Sequence, residues 1–595
     1  MIVLLSVVGL LFASDGNYQK IYPIDDAILS DLSDLYVLSG MALPSTSGPF
    51  SAQELSLMLE RVDYENLDGF GKSMYDSIRK RLDEEAFSGV FDFNPRVNLE
   101  AYVNTNTESG FFHGWDNWFY QAADARPLLE LMSEEHVGDN LYGFINFSLG
   151  VAKTHNPMDV KVGDSVLWSN IPMLFQNDIK QLDFNFPMRA FVAAGGRNFS
   201  FQIGRERISW GPGRTGNYII GDHIDYHNTA RVAAFDDGFK YSFILLGFNH
   251  PQNYYLSDGL NVNGSPNGQS AYLNGISMFI AHRLEWRLFD DKVGFAVNEG
   301  VMYMSKDNKL DLIVLSPAHV FHNSYMRSLT NSILGFELDY TPFAGFNIYS
   351  QIVVDEMILP GEPVPGDRNG AAAEPSAVGV MVGATYKMVL GDGVLSLNGE
   401  FSRTDPFLYL RDADKQIEGN PGRTQKKDDW GINYVVALRE MIGAGGTQFY
   451  DEQFLGYRYG GDAIVADLSV QYRVPSKYSL GAEFFYMAHG THDRWTVWTR
   501  VNNVSYDGSE NTQFVENPST PTTSHITENN KDPESSLRNA ITHSFVFALR
   551  GGVDLGYGFS IDAELDYLTL INPGNRKENG RESSLQMVLR ATWAY

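Results

Sequence analysis

Apolar side chains occupy every second position of the stretch from Ser584 to Tyr595. The apolar positions, which end on two aromatic residues, are Leu585, Met587, Leu589, Ala591, Trp593 and Tyr595. Most of the intervening residues are polar, so the stretch predicts a β-strand with one face for lipid and one mostly for water. In an outer-membrane barrel we expect such a last strand to pair with the first and to place aromatics at the membrane interface. The alternative is an edge strand of a soluble sheet, and the other strands decide between the two.

The same alternation recurs along the chain from residue 91 onwards. Its clearest instances are residues 97–104, 141–151, 334–341 and 559–567. In the last of these, Asp562, Glu564 and Asp566 occupy successive positions on one face. Three carboxylates in a row fit a water-filled lumen and fit neither lipid nor a dry core. We therefore predict an all-β transmembrane fold, an antiparallel outer-membrane β-barrel over residues 91–595.

The connections between these strands alternate between short and long. Short ones contain turn residues, as at Asp236-Asp237-Gly238 and Gly391-Asp392-Gly393, and long polar loops lie between them. This is the pattern of periplasmic turns and extracellular loops. Residues 440–461 break the alternation unless a strand lies near Thr447 to Tyr457. With that strand included, a direct count gives about twenty strands.

Composition narrows the function classes. A hydrophobic fraction of 43% together with a mean hydropathy of −0.23 suits many alternating strands better than long helices. The net charge of −28 makes nucleic acid an unsuitable partner. The absence of cysteine excludes disulfides, thiolate metal sites and a lipid-modified N-terminal cysteine.

The first 90 residues differ from the rest. Residues 1–13 form an apolar run that is too short to span a bilayer as a helix and that resembles a signal peptide cleaved before Ser14, although it lacks an initial Lys or Arg. A buried N-terminal strand is the alternative. Residues 20–90 show helical spacing of apolar residues, with a capping box formed by Ser51 and Glu54. We predict a small periplasmic unit of three helices that either docks other molecules or merely packs the N-terminus.

The richest candidate site lies at residues 203–222, IGRERISWGPGRTGNYIIGD. A predicted strand, Phe199 to Ile208, contains Arg205 and Arg207 and is followed by Trp210 and Arg214. Tryptophan stacks on sugar rings and arginine pairs with carboxylates, so the stretch could bind a glycan or another anion. The alternative is a loop folded into the lumen, with its arginines paired to wall acids such as Glu564 and Asp566.

Further tryptophans lie in or beside the long outer loops. They are Trp115, Trp118, Trp168, Trp495 and Trp498. Each is a sugar-stacking candidate or, equally, a membrane-interface residue. We find no nucleophile, phosphate-loop or metalloprotease motif and predict no catalytic residues, no metal site, no cofactor and no enzymatic activity.

Several stretches, taken in order, resemble the capsule assembly Wzi family. They are GRERISWGPGRTGNYII (204–220), AHRLEWRLFDDKVGFAVNEGVMY (281–303), LSPAHVFHN (315–323), NSILGFELDYTPFAGFNIYSQIVVDE (331–356) and FLGYRYGGDA (454–463). The resemblance implies an outer-membrane barrel of eighteen antiparallel strands with helices on the periplasmic side. It implies a lectin-like role in attaching or organising exported surface polysaccharide.

We therefore predict eighteen strands, with one hairpin of the direct count forming a loop. The expected location is the cell outer membrane, and the expected partners are its lipid, surface polysaccharide and the outer-membrane barrel assembly machinery. The alternative function is a cation-preferring diffusion channel, because acids line the predicted lumen.

Overall fold

The computed structural model describes most of the chain. The described residues are 17–86, 91–106, 126–151, 160–162, 165–171, 182–185, 189–248, 276–305, 309–316, 321, 329–357, 376–410, 433–442, 448–494, 496, 516–521 and 535–595. The predicted signal peptide, residues 1–13, lies outside them.

Among the described residues, eighteen strands form one closed antiparallel barrel. In chain order they are β1 (Phe91–Asn104), β2 (Leu129–Val137), β3 (Leu141–Val151), β4 (Ala190–Gly196), β5 (Phe199–Glu206), β6 (His227–Asp236), β7 (Phe239–Gly247), β8 (Ile276–Leu288), β9 (Val293–Ser305), β10 (Leu329–Phe343), β11 (Phe346–Glu356), β12 (Ala377–Leu390), β13 (Gly393–Thr404), β14 (Ala463–Val474), β15 (Tyr478–His489), β16 (Thr542–Gly556), β17 (Phe559–Ile571) and β18 (Arg581–Ala594). Closure joins β18 to β1, with Leu589 opposite Ala101. The prediction of an antiparallel barrel of eighteen strands is confirmed.

The predicted alternation sets which side of the wall each residue faces. On β17, Phe559, Ile561 and Tyr567 are exposed on the outer surface, whereas Asp566 on the inner face is fully buried. From Phe559 to Tyr567 the outer face is thus apolar and the inner face carries the acids, as the sequence predicts.

Eight turns of two to four residues lie at one end of the barrel, which we call the short-turn end. The opposite end, the long-loop end, carries the longer connections, such as 207–226 and 405–462. Short strands at Val160–Val162, Ser165–Ser169 and Leu182–Asn185 extend the sheet beside β1 and β3.

One hairpin of the direct count does not join the wall. Its strands, Val435–Ile442 and Gln448–Phe454, pair only with each other among the described residues. Residues 435–438 are buried on both faces. The count of twenty strands was therefore wrong by this hairpin, whose Val435, Val436 and Leu438 belong to the hydrophobic core inside the barrel.

Three helices lie at the short-turn end, namely α1 (Ala27–Leu38), α2 (Ala52–Glu60) and α3 (Gly69–Ala86). Ser51 caps α2 by accepting a hydrogen bond from the Glu54 N–H at 3.3 Å, as the capping box predicts. Helix α1 is held against the wall by the Gly345 N–H, which donates to the Val37 carbonyl at 2.7 Å. Among the described residues, every helix is too short or too polar to cross a membrane.

Candidate functional site

The loop that joins β5 to β6 turns back into the lumen. Its Ser209–Trp210 segment pairs with Ser47–Gly48 of the N-terminal region as a two-stranded sheet. The Gly211 N–H extends this pairing by donating to the Thr46 carbonyl at 2.9 Å. The Trp210 side chain is only 1% exposed. The loop and the N-terminal segment therefore form one plug inside the barrel, consisting of residues 41–51 and 207–226.

A wall carboxylate fixes this plug at its far side. The Glu400 carboxylate on β13 accepts hydrogen bonds from the backbone N–H groups of Arg214 and Thr215 at 2.7 and 2.9 Å. The Tyr349 hydroxyl on β11 donates to the same carboxylate at 2.7 Å. Hydrogen bonds to an ionised acceptor are stronger than neutral ones, so Glu400 holds the loop tightly to the wall.

Buried tyrosines fill the lumen beyond this clamp. The Tyr409 and Tyr434 rings stack with centroids 5.1 Å apart, and neither side chain is exposed. Their hydroxyls donate to the Tyr218 and Ile219 carbonyls at 2.6 and 2.7 Å. Burial raises the pKa of both hydroxyls well above the ordinary value, so they remain neutral donors. These aromatic rings belong to the buried cluster inside the barrel and contact the plug.

The N-terminal part of the plug is held by arginines of β8. Arg287 donates to the carbonyls of Leu43 and Pro44 at 2.8 and 2.7 Å. Arg283 donates to the Thr46 hydroxyl at 2.7 Å and is itself paired with Glu337 on β10. Because these bonds reach backbone carbonyls, they hold an extended segment that has no regular structure of its own.

A second buried charge cluster anchors helix α2. The Glu54 carboxylate forms ion pairs with Lys240 on β7 and, at 3.9 Å, with Arg231 on β6. All three side chains are at most 5% exposed. The helical unit is thus fastened to the barrel through its interior.

The predicted arginines lie in three different environments. The Arg205 guanidinium stacks 4.0 Å from the centre of the Tyr226 ring. Arg207 donates to the Asp222 carbonyl at 2.8 Å and pairs at 3.1 Å with Asp25, which lies just before helix α1. Arg214 donates to the Ser469 hydroxyl at 2.9 Å.

The loop does fold into the lumen, which was the alternative considered from the sequence, but the acids near its arginines differ from those expected. Arg214 approaches Asp467 on β14 at 3.8 Å, whereas Glu564 pairs with Arg550 of β16 at 2.9 Å. Strand register decides the partner, and register over the whole barrel is not visible in a local stretch of sequence.

The outer-loop tryptophans are not placed together by the described residues. Trp168 lies in the short strand Ser165–Ser169, opposite Tyr102 of β1, and its side chain is outside the described part of the structure. Trp115, Trp118, Trp495 and Trp498 lie outside the described residues altogether.

A cavity of about 370 Å³ remains between helix α1, the plug and the wall at the short-turn side of Arg214. Lys387 and Asn398 of the wall line it together with Asp25 and Arg207. Space therefore remains beside the plug on the side of helix α1.

Sequence reasoning missed Glu400, Tyr349 and Glu54 as organising residues. The alternation along β13 does place Glu400 on the inner face. Its partners on the plug lie about 185 residues away along the chain, so no local pattern reveals them.

Comparisons with known proteins agree on the architecture. No protein-family model matches the sequence, and no curated protein matches it. The structure superposes on Wzi of Escherichia coli, described as a carbohydrate-binding β-barrel involved in group 1 capsule assembly, with a TM-score of 0.55. The match covers 96% of this chain and 98% of that one at 12% identity.

The fold, a closed antiparallel barrel of eighteen strands, is similar to that of the outer-membrane protein Wzi, and two further outer-membrane proteins show a lower similarity. OprD of Pseudomonas aeruginosa matches 85% of this chain and 94% of its own at a TM-score of 0.38 and 7% identity. The DcaP channel of Acinetobacter baumannii matches 85% of this chain and 97% of its own at a TM-score of 0.32 and 8% identity. The likeness to Wzi thus extends over nearly the whole of both chains at the level of fold.

Proposed function

We propose that this protein binds surface polysaccharide at the long-loop end of an outer-membrane barrel and catalyses no reaction. The observation that carries the proposal is the filled lumen, in which Trp210 is 1% exposed and Tyr409 and Tyr434 are fully buried. A barrel closed by its own chain offers surfaces rather than a passage. The likeness to a barrel described as carbohydrate-binding supports a glycan as the ligand.

The proposed binding groups are the tryptophans of the long connections and Arg205. Trp115, Trp118, Trp168, Trp495 and Trp498 would stack on sugar rings. Trp210 is left out of the binding surface because its buried indole can only anchor the plug. Arg207 and Arg214 are left out because they hold the plug to helix α1 and to the wall.

The test is a pulldown of the cell's own surface polysaccharide with the refolded full-length protein. Joint replacement of Trp115, Trp118, Trp495 and Trp498 by alanine should abolish capture while the barrel still folds. Trp593→Ala is the matched control, because this tryptophan packs against Phe559 on the outer wall and should leave capture unchanged. Normal binding by the loop variant would reject these loops as the site.

A cation-preferring channel is the second candidate. The observation in its favour is the inner wall of β15–β17, where Glu483 and Glu564 remain partly exposed to the lumen. Planar-bilayer recording separates the two functions: steady open-state current indicates a channel, and silence indicates an occluded binder. We favour silence because the plug is held on both sides by charged groups.

The proposed function also implies where each part of the molecule lies. Lipid would cover the apolar outer face, and the helices at the short-turn end would lie in the periplasm. Insertion would depend on the barrel assembly machinery, as for other barrels that must close in a membrane.

A further inference from the structure

A buried carboxylate on the lumen wall has no partner among the described residues. Asp566 of β17 is fully buried, and neither of its carboxylate oxygens has a hydrogen-bond donor. Its cross-strand neighbours are Ala548 on β16, which has no polar atom in its side chain, and Gln586 on β18. Burying a carboxylate without a hydrogen-bond donor or a bonded counter-charge destabilises the folded state, so its presence calls for an explanation.

The opposing glutamine adds a second unpaired acceptor. The Gln586 side chain is 2% exposed, and its amide oxygen has no donor among the described residues. Asp566 and Gln586 therefore occupy paired positions on the inner face of β17 and β18, and three of their oxygen atoms have no donor among the described residues. Such a set of oxygens is what hard cations bind.

The neighbouring charges leave this site negative. Arg550 is the nearest cation on β16, and it is shared between Glu483 and Glu564. Arg590 on β18 is bonded to Glu100 at 2.8 Å. Each of these arginines is thus engaged with another carboxylate, and the charge of Asp566 has no protein cation bonded to it.

Water can reach the neighbourhood of Asp566. Glu564, two residues before it, is 14% exposed, and the Arg550 side chain beside it is 43% exposed. A small cation could enter from the short-turn side without moving the plug. On the side towards the plug, Leu568 is fully buried. The site therefore lies at the boundary between solvent-exposed and buried residues of the inner wall.

We propose that the Asp566 carboxylate and the Gln586 amide oxygen bind a hydrated divalent cation of the magnesium or calcium class. Within the described residues, no three acidic or histidine side chains converge as a metal cluster. The cation therefore takes two protein ligands and keeps several of its waters, which is how Mg²⁺ is held by one or two carboxylates. This inference is independent of glycan binding.

The experiment is calorimetric titration of the full-length, chelator-treated protein in detergent with CaCl₂ and, separately, with MgCl₂. Wild type should show one saturable site for at least one of the two ions. Asp566→Asn should weaken that site by about tenfold or more, because loss of a carboxylate removes the only charged ligand. The unfolding temperature should rise with the ion in wild type and not in Asp566→Asn.

The control is Asp562→Asn on the same strand and the same face. Asp562 lies about 13 Å away along β17, at 3.3 Å per residue, so screening in the wet lumen should leave the site nearly intact. Gln586→Leu is the second variant in case Asp566→Asn fails to fold; it removes one oxygen and should weaken binding while the carboxylate remains. Absence of a saturable site in wild type, or unchanged binding in Asp566→Asn, would overturn the proposal and indicate a protonated carboxyl group instead.

Discussion

The Glu400 carboxylate on the barrel wall accepts hydrogen bonds from both the backbone N–H and the hydroxyl of Thr215 inside the lumen. One side chain thus fixes a loop that would otherwise have to be held by many contacts. The Arg214 N–H and the Tyr349 hydroxyl complete the arrangement at the second carboxylate oxygen. Glu400 is thus one of several wall residues that hold the plug, together with Arg287 on β8.

Replacing Glu400 by glutamine should loosen the plug. An amide offers one acceptor oxygen in place of two and turns an N–H₂ group towards the N–H donors of the loop, at a cost of about 1.5–3 kcal/mol. We expect a lower unfolding temperature and brief openings in planar bilayers. Glu84→Gln on the exposed face of α3, where the side chain is 67% exposed, is the control. A Glu400→Gln protein with wild-type stability and no current would show that the clamp is not needed.

Loss of the Glu54 charge should release the helical unit. Glu54→Gln leaves Lys240 and Arg231 buried without their carboxylate, which costs about 3–5 kcal/mol when one partner of a buried pair is removed. Limited proteolysis should then cleave near α2 faster than in wild type. The control is Glu60→Gln on the same helix, because Glu60 is 55% exposed. Equal cleavage rates for both variants would contradict the anchoring role.

Acid should weaken the connection between residues 516–521 and the barrel rim. Burial raises the pKa of Asp462, but hydrogen bonds and charge from His492, together with the Ser519 hydroxyl, outweigh it and the pKa is lowered. Because the pKa of Asp462 is lower in the folded protein, the unfolded chain binds more protons at acid pH. The contribution of Asp462 to the free energy of unfolding is therefore present above the pKa of an aspartate in the unfolded chain, about 3.9, and is lost as the pH falls below that pKa.

The measurement is the unfolding temperature between pH 7 and pH 3. Asp462→Asn should reduce stability at pH 7 and flatten the loss below pH 4, because the variant has no charge to lose. Asp392→Asn, in a turn where the side chain is 84% exposed, should follow wild type throughout. A variant curve parallel to that of wild type would exclude Asp462 as the group responsible.

A methyl group at Gly383 should displace Tyr349. An added Cβ would lie 2.1 Å from the Tyr349 ring, so the ring must leave the wall of β12 and lose its bond to Glu400. We expect a cost of about 1–3 kcal/mol, typical of overpacking. Gly481→Ala is the matched control, since its Cβ would meet the nearest atom at an ordinary 3.6 Å. Equal unfolding temperatures for the two alanine variants would contradict this reading of Tyr349.

The wall of the barrel was predictable because its rule is local. Along β17, the side chain at each position follows from period two alone, and exposed Tyr567 next to buried Asp566 obeys that rule. The same rule misled at residues 435–442 and 448–454, which form strands that pair with each other and, among the described residues, not with the wall. Alternation predicts a strand, but it does not tell whether that strand pairs with the barrel wall or with a second strand of the same loop.

The site was less predictable because its contacts are remote. The burial of Trp210 depends on pairing with Ser47, more than 160 residues earlier in the chain. An exposed tryptophan in a polar loop and a buried one in a plug have the same local sequence. Glu54 was visible as part of a capping box, but its second role, as counter-ion to Lys240, required the docked position of the helix.

The junction between β18 and β1 constrains the order of assembly. Ser584 donates to Asn104 across this junction at 2.7 Å, and 480 residues separate them along the chain. Until β18 arrives, both of these strands have a free edge, and a free edge can pair with the wrong chain. The segment 41–51 precedes β1 in the chain and lies inside the finished barrel. It must therefore enter the lumen either before β18 pairs with β1 or afterwards through one end of the barrel. A chaperone that covers the free edge of β1 until β18 pairs with it would prevent β1 from pairing with another chain.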